Sequence, residues 1–448
     1  MSYETAVAQM YALGHELAQT PSYKFDLAHM RVLLAALGHP ENRFPSVLVA
    51  GTNGKGSTAA TLASILQASG LKTGLYTSPH LVRINERIRL NGEPIGDDDF
   101  AGLHDVVDRT AERLVGEGDL PWHPSFFETL TAMAFEYFAR GRPDMVVLEV
   151  GMGGRLDATN VVDPRLSIIT DIALDHQKYL GETITEIARE KAGIIRPGGI
   201  VVTLSQLPEA NDVIGNAILN AGARAVNAVP YVPPVSPSSG QGQRYPLDVC
   251  GQTIMVESPL LGRHQLRNLA LAIAAAVELH NQDIANHGIV RITAATIAQG
   301  IRQTHWPARF QVVPATADSP EFVFDVAHNP AGAWALRSTL SAAYQDDRDI
   351  TMVFGVMRDK AVREITEILF PIAHHVIVTP AHNPRSASPD EIRQAAARVA
   401  AGMDIQEADN VTSALKQARE VAGPSGLIVV TGSIYVVGEA MRQLGVSI

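Results

Sequence analysis

The sequence predicts an α/β protein with mainly parallel sheets in two domains, and three observations predict it. Short runs that are apolar on both faces alternate with helical patterns, as strands covered by helices require. The first run passes through a glycine-dense turn, Gly51–Gly56, into a helix. A second alternating series begins after "THWPARFQVVP" (Thr304–Pro314), where one helical region ends. In order, the strand candidates are Ser46–Gly51, Asp144–Gly151, Leu166–Ile172 and Gly199–Leu204, then Phe322–Ala327, Ile350–Val356, His375–Pro380 and Gly426–Ser433. Helices are expected at Ser57–Ser69, Phe127–Arg140, Ile184–Ala192 and Asn268–Leu279. That alternation favours parallel pairing. The first domain is placed at residues 1–303, a hinge at 304–314 and the second domain at 315–448. The Pro-, Ser- and Gly-rich stretch Ala228–Gln243 reads as an exposed loop, because such a composition cannot sit in a sheet interior.

A chain of 448 residues exceeds what one core usually serves. Hydrophobic residues make up 46% and charged residues 19%, a globular rather than a disordered composition. With 36 Lys and Arg against 47 Asp and Glu, the formal charge is −11. That balance argues against a general nucleic-acid or anionic-membrane binder, while leaving room for a local basic pocket. The single cysteine, Cys250, excludes a disulfide framework and a zinc site built on several thiolates. No uncharged apolar run approaches the ~18 residues of a membrane span. The N-terminus lacks the basic and apolar regions of a secretory signal. A cytoplasmic monomer with no nucleic-acid or membrane partner is therefore expected.

"VLVAGTNGKGSTAATLASIL" (Val47–Leu66) sets strand, glycine turn and helix N-terminus in sequence. Backbone N–H groups and the helix dipole make such a turn an anion site. Lys55 supplies a point charge for β- and γ-phosphates, and Ser57 can reach a Mg²⁺ shell. The spelling departs from the common G-x-x-x-x-G-K-[ST]. Val49 stands where the first glycine should, and Gly56 intervenes between Lys55 and Ser57.

Other candidates are weaker alone. Glu149 ends an apolar strand, where a carboxylate is costly unless it meets a cation and where α/β ligands bind. His176 follows a strand and Asp175; its imidazole could ligate a divalent metal or serve structurally. Lys191 shares a helix with Glu186, Arg189 and Glu190, and by itself reads as a lysine in a surface ion pair. Arg83, Arg87 and Arg89 make Tyr76–Gly92 a basic loop suited to carboxylates.

G-T-N-G-K-G-S at Gly51–Ser57 resembles the loop of the Mur ligase superfamily, ATP-dependent enzymes that join an amino acid to a carboxylate. "TSPHLVRINERI" (Thr77–Ile88), "SFFE" (Ser125–Glu128) and "GGRLDATN" (Gly153–Asn160) look like its folylpolyglutamate synthase/dihydrofolate synthase branch. So do Asp175-His176 before "EKAGI" (Glu190–Ile194), His264 with Asn268, and "WPAR" (Trp306–Arg309). "DVAHNP" (Asp325–Pro330) also matches, with Val326 in place of the family's glycine.

The resemblance implies a P-loop ATPase domain with a mainly parallel sheet, plus a smaller Rossmann-like C-terminal glutamate-ligase domain. It implies that Asn53, Gly54, Lys55, Gly56 and Ser57 hold ATP together with Asn268, Arg309 and Asp325. Ser57, Ser78, Glu149 and His176 would hold Mg²⁺, as two ions. Ser125, Phe126, Phe127 and Glu128, with Leu156, Asp157 and Ala158, would line a dihydropteroate pocket. Lys55, Lys191 and His328 would be catalytic, with Lys191 carbamylated; Lys360 is a contact for the incoming glutamate. The implied reaction joins L-glutamate to the carboxylate of dihydropteroate or a reduced folate through an acyl phosphate, and either or both acceptors fit the motifs. Two alternatives stand beside it. A cell-wall Mur-type ligase would need a further N-terminal domain, for which residues 1–45 are too few. A P-loop nucleotide switch would bind nucleotide without forming an amide.

Overall fold

The computed structural model describes residues 1–14, 26–234, 243–286, 291–344, 348–399 and 403–448. Within the stretch expected as an exposed loop, residues 235–242 lie outside the described residues. The chain divides into two compact units. The larger comprises Met1–Val232, Pro246–Met255 and Arg267–Gln303; the smaller comprises Pro233–Tyr245, Val256–Leu266 and Thr304–Ile448.

The larger unit is built on β1 (Ser46–Ala50), β2 (Thr73–Tyr76), β3 (Ile88–Leu90), β4 (Glu93–Pro94), β5 (Met145–Glu149), β6 (Leu166–Ile169), β7 (Ile200–Thr203) and β8 (Arg224–Asn227). Their order across the sheet is β4-β3-β2-β5-β1-β6-β7-β8. From β2 to β8 the neighbours are parallel, while β2–β3 and β3–β4 are antiparallel. β1 is buried along its whole length between β5 and β6, as its run of Val, Leu and Ala requires. Val49 lies opposite both Glu149 and Ile168, so the turns after β1, β5 and β6 leave one edge of the sheet together. That carboxyl edge is where open α/β sheets bind ligands.

β9 (Gln243–Val249) and β10 (Gln252–Ser258) form a separate two-stranded sheet. In the smaller unit β11 (Gln311–Val313), β12 (Glu321–Phe324), β13 (Ile350–Phe354), β14 (His375–Val378), β15 (Asp404–Glu407) and β16 (Leu427–Thr431) follow. Their order is β11-β12-β16-β13-β14-β15, parallel except for β11–β12. Each strand and helix expected from the apolar pattern is formed, with ends moved by a few residues. Among the described residues no helix is long and apolar enough to cross a membrane.

Candidate active site

After β1 the chain turns through Gly51, at φ +151°, and Gly54, at φ +88°. Neither position accepts a side chain. A Cβ on Gly51 would lie 1.8 Å from Thr170 Oγ1, and one on Gly54 would lie 2.0 Å from Asn268 Oδ1. Gly54 is the N-cap of the helix Lys55–Ala68, whose first turn contains Gly56 and Ser57, both buried. First-turn N–H groups have no acceptor within their own helix. The turn is stitched to the segment after β6: the Thr52 and Asn53 N–H groups donate to the Asp171 carbonyl at 2.9 and 3.1 Å. Thr52 Oγ1 donates to the Ala173 carbonyl at 3.0 Å and accepts from the Ala173 N–H at 3.1 Å.

Two lysines converge on one carbonyl. Lys55 Nζ donates to the Gly51 and Thr52 carbonyls, both at 3.2 Å. Lys191, from the helix Ile184–Ala192, donates to the same Gly51 carbonyl at 2.7 Å. It is 3% exposed. Burial first, and the nearby Lys55 charge second, lower its pKa from 10.5 to about 7, against the pull of Asp175, Asp157 and Glu190. Reading Lys191 as a surface ion-pair residue is thus corrected. The acidic neighbour Glu190 pairs instead with Arg155, at 2.9 Å. Close packing of "GGRL" turns this helix face inward, since a Cβ on Gly154 would lie 2.7 Å from the Glu190 carbonyl oxygen.

Glu149 ends β5 and is 4% exposed. Its Oε2 accepts from the Ser78 N–H at 3.2 Å, which ties it to the segment after the adjacent strand β2. His176, at φ +51°, opens the short helix Gln177–Leu180 and donates its N–H to Asp175 Oδ1 at 2.8 Å. Among the described residues no three His, Cys, Asp or Glu side chains cluster as a protein-only metal cage would. The buried Glu149 carboxylate nevertheless suits Mg²⁺, which takes few protein ligands and completes its shell with water and phosphate oxygens.

The "SFFE" segment is first a helix start. Ser125 caps the helix Phe126–Gly141, and Ser125 with Glu128 forms a capping box. Glu128 also meets His29 Nδ1 at 3.2 Å. Burial pushes the Glu128 carboxyl up, but its bonds to His29 and Ser125 outweigh that and hold it below the usual carboxylate value. Phe126 is core and stacks on Tyr11 at 5.9 Å between centroids. Phe127 is half-buried over Gly151, where a Cβ would lie 2.5 Å from its ring, so this segment abuts the turn after β5. Asp157 accepts from the Met152 and Thr159 N–H groups, both at 3.0 Å, and from Thr159 Oγ1 at 2.5 Å. Burial raises its pKa. Ala158 is buried and Leu156 half-buried. Of the three arginines, Arg83 is exposed, Arg89 is half-buried and Arg87 is buried. Arg83 pairs with Asp97 at 2.7 Å, buried Arg87 donates to His80 Nδ1 at 2.8 Å, and Arg89 donates to the Glu86 carbonyl at 3.1 Å.

In the smaller unit, Asp325 follows β12 and accepts from the Phe310 N–H at 2.8 Å and the Ala327 N–H at 2.9 Å. Burial pushes its pKa up to about 6, against the attraction of Arg309. The Arg309 guanidinium donates to the Ala308 carbonyl at 3.2 Å and lies 5.8 Å from the Trp306 ring centroid. His328 Nδ1 is 2.9 Å from the Val326 carbonyl, next to Asn329, which caps the helix Pro330–Ala343. The end of β12 thus gathers Arg309, Asp325 and His328. Lys360 lies in the turn after β13, its N–H donating to the Met357 carbonyl at 3.1 Å.

Residues 127–276 match the family described as Mur ligase middle domain, and residues 308–434 the family described as Mur ligase, glutamate ligase domain. A folylpolyglutamate synthase of Lacticaseibacillus casei is 35% identical over 448 residues, covering 99% of this chain and 98% of that one. The chain belongs to the folylpolyglutamate synthase/dihydrofolate synthase family. A dihydrofolate synthase/folylpolyglutamate synthase of Bacillus subtilis (strain 168) is 34% identical over 423 residues, 93% of this chain and 94% of its own. The solved Mycobacterium tuberculosis folylpolyglutamate synthase complexed with ADP and AMPPCP aligns with a TM-score of 0.86 at 32% identity, covering 99% of each chain.

Some residues that hold the candidate site from behind are not among those singled out from the sequence. Thr170 lies under Gly51, Asp171 takes two N–H groups of the turn, and His29 meets Glu128. The place of Thr170 and Asp171 at the end of an apolar strand was a usable signal; His29 lies 99 residues from its partner and had none.

Proposed function

We propose that this chain is an ATP-dependent ligase that joins L-glutamate to the carboxylate of dihydropteroate or a reduced folate. The observation that carries the proposal is the turn Gly51–Ser57, with two lysines drawn to its Gly51 carbonyl. A carboxylate is a poor electrophile. Transfer of the γ-phosphoryl group to an acceptor carboxylate oxygen, with ADP leaving, makes an acyl phosphate. The glutamate amine then attacks the acyl carbon, the C–N bond forms, phosphate leaves and the amine loses its proton. Lys55 and the first-turn N–H groups of its helix disperse charge on the transferring group. Asn53, Gly54, Gly56 and Ser57 cradle the phosphates with Asn268, and the resemblance assigns Arg309 and Asp325 to nucleotide contacts. Ser57, Ser78, Glu149 and His176 would hold Mg²⁺, which neutralises phosphate charge when bound.

Phe127 and Leu156, both partly exposed, face the pteroate ring, in a wall completed by Ser125, Phe126, Glu128, Asp157 and Ala158. Burial leaves Lys191 partly neutral near pH 7, which supports its carbamylation: the amine adds CO₂, an N–C bond forms and a proton is released. His328 is assigned a catalytic role and Lys360 a contact with the incoming glutamate. The test is ADP release with product analysis. Release should require L-glutamate together with dihydropteroate or tetrahydrofolate. Release independent of both, or activity confined to a muropeptide, would overturn the assignment.

A further inference from the structure

The helix Arg263–Ala285 carries two adjacent polar residues that act on the same turn from different sides. Asn268 meets Gly54, as its 2.0 Å approach to a Cβ there shows. Arg267 grips Asp171 with a fork: Nε lies 2.8 Å from Oδ2 and 3.0 Å from Oδ1, and Nη2 lies 2.5 Å from Oδ1. Its Nη2 also donates to the Ser205 carbonyl at 2.9 Å. The pair is about one-third exposed, at 34% and 32%, so it adds little to global stability. Its geometry is nonetheless specific, because a planar guanidinium bonded through two nitrogens fixes the carboxylate in direction as well as distance.

What that fixes is the backbone of Asp171. The Asp171 carbonyl accepts the N–H groups of Thr52 and Asn53, and Asn53 and Asp171 form an isolated antiparallel bridge. These are the residues immediately before Gly54 and Lys55. A shift of Asp171 would carry the turn with it, and would turn the first-helical-turn N–H groups away from a common point. Arg267 also neutralises the Asp171 carboxylate beside the turn.

We propose that Arg267 is a positioning residue for the nucleotide turn, acting through Asp171 on Thr52 and Asn53. The proposal rests on the reading of Gly51–Ser57 as the ATP phosphate site. Binding of MgADP at fixed ionic strength tests it, by calorimetry on the full chain and on Arg267→Ala, Arg267→Lys and Lys55→Ala, with melting temperatures measured without nucleotide. Wild-type protein should bind and Lys55→Ala should not; if either fails, the phosphate-site reading itself falls. With both satisfied, Arg267→Ala and Arg267→Lys should each bind about tenfold more weakly, 1.4 kcal/mol at 25 °C, with melting temperatures near wild type. The lysine variant decides the mechanism, since it keeps the charge and loses the fork. Wild-type affinity in Arg267→Lys would overturn positioning in favour of charge compensation. A lowered melting temperature with unchanged affinity in both variants would overturn it in favour of a structural pair.

Discussion

Replacing Lys191 with methionine should stabilise the protein while removing its activity. The side chain is buried and its ammonium has a pKa of about 7, against 10.5 when exposed. At 1.36 kcal/mol per pH unit, holding that charge indoors costs about 5 kcal/mol. The folded protein releases the proton near pH 7 and the unfolded chain near 10.5. Between those values the unfolded chain binds more protons, so stability rises with pH there, and the cost is at full size below pH 7. Lys191→Met keeps the apolar stem and loses the bond to the Gly51 carbonyl, worth about 1 kcal/mol. That carbonyl still accepts from Lys55 at 3.2 Å, so no buried acceptor is orphaned. The net expectation is a variant about 3–4 kcal/mol more stable than wild type at pH 6.5, with the gap narrowing by about 3 kcal/mol at pH 9.5. Urea titrations of both proteins in bicarbonate-free buffer at the two pH values measure it. Comparing the proteins at each pH cancels titrations they share. A variant less stable than wild type at pH 6.5, or a gap independent of pH, would refute the claim that this lysine sits desolvated beside Lys55. Loss of turnover in the more stable variant would mark it as a site strained for function.

Lys55→Ala should abolish glutamate-dependent ADP release with unchanged circular dichroism; retained turnover removes Lys55 from phosphate contact. Lys191→Ala should lose activity that added acetate partly restores, and wild-type turnover in that variant would exclude Lys191 from the site. Gly54→Ala combines a left-handed backbone, φ +88°, with a Cβ 2.0 Å from Asn268 Oδ1, so it should destabilise by about 1–3 kcal/mol and weaken nucleotide binding. An unfolding midpoint equal to wild type would show that the turn tolerates a side chain. His29 is a different kind of site: both ring nitrogens face acceptors, Glu128 Oε1 at 3.2 Å and the Trp122 carbonyl at 3.0 Å. Burial lowers its pKa, but these bonds outweigh burial and the value is raised above 6.5. Its stabilisation is therefore complete below 6.5 and lost as pH rises through the higher folded value. The stability gap between wild type and His29→Gln should be larger at pH 6 than at pH 9, and a gap of constant size would show that His29 is neutral in the fold.

The parallel sheets and the phosphate turn were legible because they are local. A run such as Ser46–Ala50 states by its own composition that both faces are covered. Gly51–Ser57 holds its strand end, glycines, lysine and helix start within a few consecutive residues. Where a strand stops was less legible. The ladder of the expected strand Leu166–Ile172 ends at Ile169, although Thr170 and Ile172 beyond it stay buried, because burial does not report pairing. The edge strands β8 and β15, "RAVN" and "DIQE", are largely exposed and carry no apolar run to betray them.

By itself, then, the sequence determined the alternation of strands and helices, the glycine turn that opens a helix and the motifs proposed for the site. The strand order β2-β5-β1-β6 decided which of those motifs meet, placing Glu149 beside Val49 and tying it to Ser78. Tertiary structure alone turned Lys191 inward to the Gly51 carbonyl, 140 residues away, and buried Arg87 against His80. The physical reason is that periodicity records which face of an element is covered. The charge state of a side chain depends instead on the dielectric and the neighbours that distant segments bring to it.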